Sequence, residues 1–268
     1  MAGFRIGSLQ LLNIFGFLAM IIVNGLADLL PIGGVTTAEV SAQYANYFVP
    51  ASITFIIWAF IYLLLLLFCI YQGATLFQQR KEGISKKEIV TGKIGFLFFL
   101  SCIFNCFWIC AWHYREIGLS VICMLALLIT LILIHSRLTI ATSAADEGER
   151  SFVWLPFSIY LGWISIATMA NIASWLVSIG WSGGAIESYW WAVVLIALGS
   201  LLTIFLLFKR HNIYFGFPVI WGFLGIALRQ YQETGRWTLI ALTAVLSSFV
   251  LLVLIVLSYR SISKVKTA

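Results

Sequence analysis

The sequence predicts an all-α fold, a polytopic bundle of membrane-spanning helices, and three observations carry that prediction. Of 268 residues, 62% are hydrophobic and only 10% charged, where a soluble domain is about a quarter charged; the mean hydropathy is +1.03. Runs approaching the ~20 apolar residues needed to cross a bilayer recur from one end to the other. The basic residues fall mostly in short links between those runs, so the net charge of +6 reports topology and not nucleic-acid binding. An outer-membrane barrel would instead show alternating segments of about ten residues, and none is present.

Eight apolar segments follow in order. The first, residues 9–27, is interrupted by Asn13 and ends in Gly25-Leu26-Ala27; small residues there suit a processing site, but the run is long for a signal and is read as a retained helix. The second, 51–75, follows Pro50, which fits a first helical turn. Segments 94–112, 119–135, 153–178 and 189–208 are uninterrupted by charge. The seventh, 215–228, has about three unbroken apolar turns and contains Pro218, which predicts a short, kinked or re-entrant element. Segment 239–259 closes the series.

Alternating the links between two sides gathers Arg5, Arg80, Lys81, Lys86, Lys87, Lys93, Arg137, Arg150, Lys209, Arg210, Arg260, Lys264 and Lys266 on one side. Only Arg115, Arg229 and Arg236 fall opposite. The positive-inside rule then places both termini in the cytoplasm; the expected location is a bacterial-type plasma (inner) membrane. Two links are long: residues 28–50, with Pro31, Gly33 and Gly34, read as a structured outer lid, and residues 78–93 as a basic amphiphilic connector touching headgroups.

Inside the spans ionisable chemistry is nearly absent. Every Asp and Glu lies in a link or at a helix end and no Lys sits mid-span, which argues against a retinal-type Schiff base and against proton-coupled antiport. The five Cys all lie in predicted helices, with no disulfide framework; Cys102, Cys106 and Cys110 form a stripe read as small-residue helix packing rather than a soft-metal site. His113, in Trp112-His113-Tyr114-Arg115, is read as an interface anchor. Asn24 and Asp28 are read as a cap or hinge for the outer lid. No nucleophile, base and orienter come together, and no metal cluster or phosphate loop is visible.

What the spans do carry is Trp and Asn at helical spacing. Asn105, Trp108 and Trp112 share one face of the third segment, Trp163, Ala167 and Asn171 one stripe of the fifth, and Trp58 and Tyr62 one face of the second. A large ring beside a small Ala leaves either a close helix contact or a ligand slot. On the residues alone both stand, because aromatics crowd membrane interfaces and Asn glues helices together.

At these positions the chain resembles the TspO family of tryptophan-rich sensory and translocator proteins. The matching pieces are Pro50-x7-Trp58-x3-Tyr62, Asn105-x2-Trp108 and Trp163-x3-Ala167-x3-Asn171. The resemblance covers roughly residues 9–180 and implies a five-helix TspO-like core, residues 1–180, followed by a three-helix membrane extension, residues 181–268. It departs from the family pattern at Thr54 and Phe55, which replace a Phe-Gly, and at Ile109, which replaces a Ser. Membership would imply a pocket closed by the first outer loop that takes porphyrins, sterols or isoquinolines.

The expected function is therefore binding, with sensing or translocation, of a bulky apolar ligand such as a porphyrin. A tetrapyrrole would stack on Trp58, Trp108 and Trp163, oriented by Asn105 and Asn171, with Tyr62, Trp112 and Ala167 completing the site. No cofactor is required; a tetrapyrrole would be the ligand. Expected partners are the lipid bilayer and a small apolar or amphipathic ligand, with a homodimer left open and no nucleic acid. A transporter or permease subunit is the alternative, and the resemblance also brings in porphyrin breakdown.

Overall fold

The computed structural model describes residues 2–30, 32–76 and 85–267, all helix, turn or loop with no strand among them. Pro31 and the part of the basic connector that carries Arg80 and Lys81 lie outside the described residues. Eight long helices match the eight apolar runs: α1 (Ala2–Leu29), α3 (Ile57–Gly73), α5 (Leu97–His113), α6 (Ile117–Arg137), α8 (Leu155–Ser178), α9 (Ser188–Arg210), α10 (Gly216–Thr234) and α11 (Leu239–Thr267). Three shorter helices fall in the links: α2 (Thr37–Gln43), α4 (Lys86–Ile94) and the single turn α7 (Glu147–Glu149), which runs through a π turn into α8.

Among the described residues, six helices are long and apolar enough to cross a membrane, and a seventh span results if α4 and α5, bent by 51°, count as one. The chain is thus a multi-pass membrane protein of helical-bundle type. α10 is not among these candidates. It is nevertheless continuous: Pro218 sits in its first turn, where no intrahelical N–H is lost, so the expected kink is not there. Its buried face alternates small residues, Gly216, Gly222, Gly225 and Ala227, with Val219, Phe223 and Ile226, which lets neighbouring backbone approach closely.

The end of the basic connector is more ordered than a headgroup-contacting link requires. Ser85 and Glu88 form a reciprocal capping box at the start of α4, and Lys86 pairs with Asp146 at 3.1 Å.

The chain forms two compact units. The first comprises Met1–Thr36 and Trp58–Phe157. Here α1 packs on α5, where Gly16 faces Phe99 and Cys102 so closely that a Cβ would stand 2.7 Å from the Phe99 ring. Cys102 thus serves the helix packing expected of it. α1 is also tied to α3: Gln10 Nε2 donates to Gln72 O (2.5 Å) and Thr75 Oγ1 (2.8 Å), and Asn13 Nδ2 donates to Gln72 Oε1 (3.0 Å). Such bonds hold helices together where apolar burial cannot, since lipid is as apolar as the helix faces. Phe68, Phe98 and Phe157 form an edge-to-face triangle with centroids 4.9–5.8 Å apart. α5 turns into α6 through Arg115, whose φ of 64° reverses the chain. That turn tucks His113 fully inside, which corrects its reading as an interface anchor.

The second unit comprises Thr37–Ile57 and Ser158–Ala268. Here α10 packs against α9 and α11, and Asn212 prepares its start: Oδ1 accepts from the N–H groups of Tyr214 (3.2 Å) and Phe215 (3.3 Å) while Nδ2 donates to Ser158 Oγ (3.0 Å). The 3-10 turn Ser52–Ile56 docks on α10, with Ala51 N–H donating to Gly225 O at 2.9 Å and Trp221 Nε1 to Thr54 O at 2.8 Å.

These units divide the chain otherwise than at residue 180. Nearly all of α8 groups with the C-terminal helices rather than with the first four spans, and its Gly162 faces Phe215 and Pro218 at the start of α10.

Candidate functional site

In the first unit four of the expected site rings form a continuous stack. Trp58 lies 5.7 Å from Tyr62 and 5.2 Å from Trp108, and Trp108 lies 6.3 Å from Trp112, with interplanar angles of 24–29°. The helical spacing read from the sequence produces this on α5, and α3 brings Trp58 and Tyr62 to it. Trp58, Trp108 and Trp112 are all buried. Asn105, on the same face of α5, is fully buried, and its Oδ1 accepts a hydrogen bond from Asn24 Nδ2 at 2.7 Å.

Asn24 is therefore a member of this cluster that the sequence reading placed elsewhere, at the lid. It also donates to Met20 O one turn back, at 2.9 Å. Part of the signal was present in the sequence: an Asn within an apolar run needs a partner, and Asn105 was one of the other Asn residues inside the spans, with Asn13 and Asn171.

Trp163, Ala167 and Asn171 fall on α8, on one stripe as the spacing predicts, and belong to the second unit. Trp163 and Asn171 are buried and Ala167 is half-buried. The Trp163 ring faces Gly222 of α10, where a Cβ would lie 3.8 Å from it.

The second unit also contains a half-open cavity of about 400 Å³ that none of the eight expected residues lines. One wall is another face of α8, from Met169 to Val177; a second is α9, at Trp191, Ala192 and Leu195; Asn46, Tyr47 and Phe48 of the first outer link close a third side. The link thus contributes to a pocket, although not to the residues first expected. Trp181 and Trp191, 5.4 Å apart, stand at one end. Neither was among the expected site residues.

Among the described residues no cluster of His, Cys, Asp or Glu could hold a metal ion. The free cysteines are buried or half-buried in helices. A family model described as "TSPO-like protein" matches residues 10–257, nearly the whole chain. The chain belongs to the TSPO-like protein family. The TSPO-like match runs through α9, α10 and α11, so the C-terminal helices lie within the matched region and not outside it, as the three motifs alone had left them. A search of curated proteins and one of solved structures each found no match.

Proposed function

We propose that this TSPO-like protein binds a bulky apolar ligand, a porphyrin or similar flat ring system, within its helices, and senses or moves it across the plasma membrane. The observation that carries this reading is the stack of Trp58, Tyr62, Trp108 and Trp112 beside the buried amide of Asn105. Large ring faces supply contact area at small conformational cost, and one or two amides orient what they hold. Within the second unit, the α8 stripe of Trp163, Ala167 and Asn171 is proposed as ligand-binding in its own right: Trp163 as a stacking surface, Asn171 as an orienting amide and Ala167 as the small residue that leaves room. No side chain in this set is a strong acid or base, so the proposed role is binding and not chemistry on the ligand.

Equilibrium binding of the full chain in detergent to a panel of porphyrins, sterols and carotenoid-like molecules tests this. Saturable binding of one class, weakened by Trp108→Leu, is the expected result. Binding of none of them selectively would favour a transporter or permease subunit instead.

A further inference from the structure

We infer that the cavity walled by α8, α9 and the first outer link is a second binding site, one that takes a single long acyl chain. This goes beyond the aromatic site proposed above and shares no residue with it.

Size sets the class of ligand. A cavity of 150 Å³ holds benzene, six heavy atoms, so the ~400 Å³ here corresponds to roughly sixteen heavy atoms. That is one acyl chain of about 14–18 carbons on the same packing. A sterol, with about 28 heavy atoms, or a porphyrin, with more than about 30, would be only partly enclosed on that scale, whereas a single chain fits whole.

Chemistry agrees with size. The walls are Met169, Ile172, Leu176, Val177, Leu195 and Phe48, and no charged side chain lines the cavity, so the enclosed part of the ligand is uncharged and apolar. The polar groups are neutral: the amide of Asn46, the hydroxyls of Tyr47, Ser182 and Ser188, the indole N–H groups of Trp181 and Trp191, and the backbone at Gly183. Asn46 is already engaged in its own turn, accepting from Phe48 N–H at 2.9 Å. Both serines are exposed, which leaves them available to a polar head.

Position agrees as well. Trp175, Trp181 and Trp190 are each more than a third exposed around this end of α8 and α9. Amphipathic rings collect at the level of lipid headgroups, which is where the polar end of an amphiphile sits while its chain points inward. The rim is held in shape by the bond from Trp191 Nε1 to Gly183 O at 3.0 Å. Gly183 has φ of 104°, and a Cβ there would stand 2.6 Å from Ile186 O; only glycine builds this corner. The mouth is thus pre-formed, which reduces the ordering cost of binding.

The chain could come from a free fatty acid or from a bilayer phospholipid, and the test separates them. The full-length protein in nanodiscs is photolabelled in two arms, with hexadecanoic acid bearing a terminal diazirine and with phosphatidylcholine bearing the same group on one chain, and labelled peptides are mapped by mass spectrometry. Saturable labelling concentrated in residues 169–177 and 191–195, competed by unlabelled hexadecanoic acid, supports the site with a free amphiphile as its source. The same labelling in the phospholipid arm alone supports it with a bilayer lipid. Ala173→Phe, or Val177→Phe if the first does not fold, should lower that labelling about tenfold while leaving porphyrin binding unchanged. Labelling spread evenly over outward positions such as Ile122 and Ile129, or displacement of the probe by a porphyrin at equal concentration, would overturn the assignment.

Discussion

Asn24 Nδ2 donates to Asn105 Oδ1 at 2.7 Å, joining α1 to α5 by two side chains that are both buried. In lipid such a bond contributes about 0.6 kcal/mol on average and up to about 1.7. A double-mutant cycle with Asn24→Ala and Asn105→Ala, read by unfolding in detergent, should therefore give a coupling in that range. If Asn105 also orients a ligand, Asn24→Ala should shift ligand affinity while every ring of the stack stays in place. Purely additive losses in the cycle would show that the bond contributes nothing.

Gly225 gives a prediction of opposite sign. A Cβ at this position would collide with the Thr54 side chain, whose Oγ1 is buried without a hydrogen-bond partner. Gly225→Ala should destabilise by about 1–3 kcal/mol through overpacking. Thr54→Ala removes the two nearest atoms and the unsatisfied hydroxyl but keeps the Thr54 Cβ, 2.9 Å from the added methyl, so the double variant should regain part of the loss. The measurement is the thermal midpoint of the three variants.

That pair also shows how far the sequence could be read. Thr54 was visible as a departure from the family pattern, but its partner Gly225 is 171 positions away in a different helix, and no periodicity links the two. The spans were legible because hydropathy is a local property: all eight runs became helices, and the stripes on α5 and α8 fell where 3.6 residues per turn puts them. Pairings between helices were not. Asn24 looked like a lid hinge because it lies near the end of its run, and α8 looked like the last helix of the core because its motif matched. Where its Gly162 meets Phe215 and Pro218, the contact is one of shape. The cavity was hidden for the same reason, since its lining comes from three separated segments of ordinary apolar composition.

The carboxyl of Asp146 is held below the usual carboxylate value, first by the N–H of Glu149 and then by the ammonium of Lys86. A lowered value in the folded state means that this local structure is fully stabilised above the ordinary carboxylate range and loses that contribution as pH falls through the lowered value. The protection of the Glu149 and Arg150 amides, taken relative to their intrinsic exchange rates at each pH, should fall over that acidic window. Asp146→Asn keeps a capping oxygen but removes the charge, so its protection factors should not change with pH there. The pair is exposed, so the effect should stay local and leave global stability nearly unchanged.

Topology turns on α10. Six spans, the bent pair α4–α5 and α10 together make an even number, which the charge partition requires for both termini to be cytoplasmic. Reporter fusions after Gly34 and at Ala268 should then report opposite sides of the membrane. If both report the same side, α10 does not cross.

Ala167 separates a ligand slot from simple packing. It lies between Trp163 and Asn171 on one stripe of α8 and remains half-buried while both neighbours are buried. If the stripe serves a ligand, Ala167→Leu should fill the room beside Trp163 and weaken porphyrin binding with the fold intact, and Trp163→Phe should weaken it by loss of stacking area. If the stripe only packs helices, Ala167→Leu should instead cost roughly 1–3 kcal/mol of stability, and Trp163→Phe should act through the smaller volume of its ring against Gly222. Stability and affinity measured on the same detergent preparations distinguish the two outcomes. Loss of stability with no selective change in affinity would remove Trp163, Ala167 and Asn171 from the site and leave the stack on α3 and α5 to stand alone.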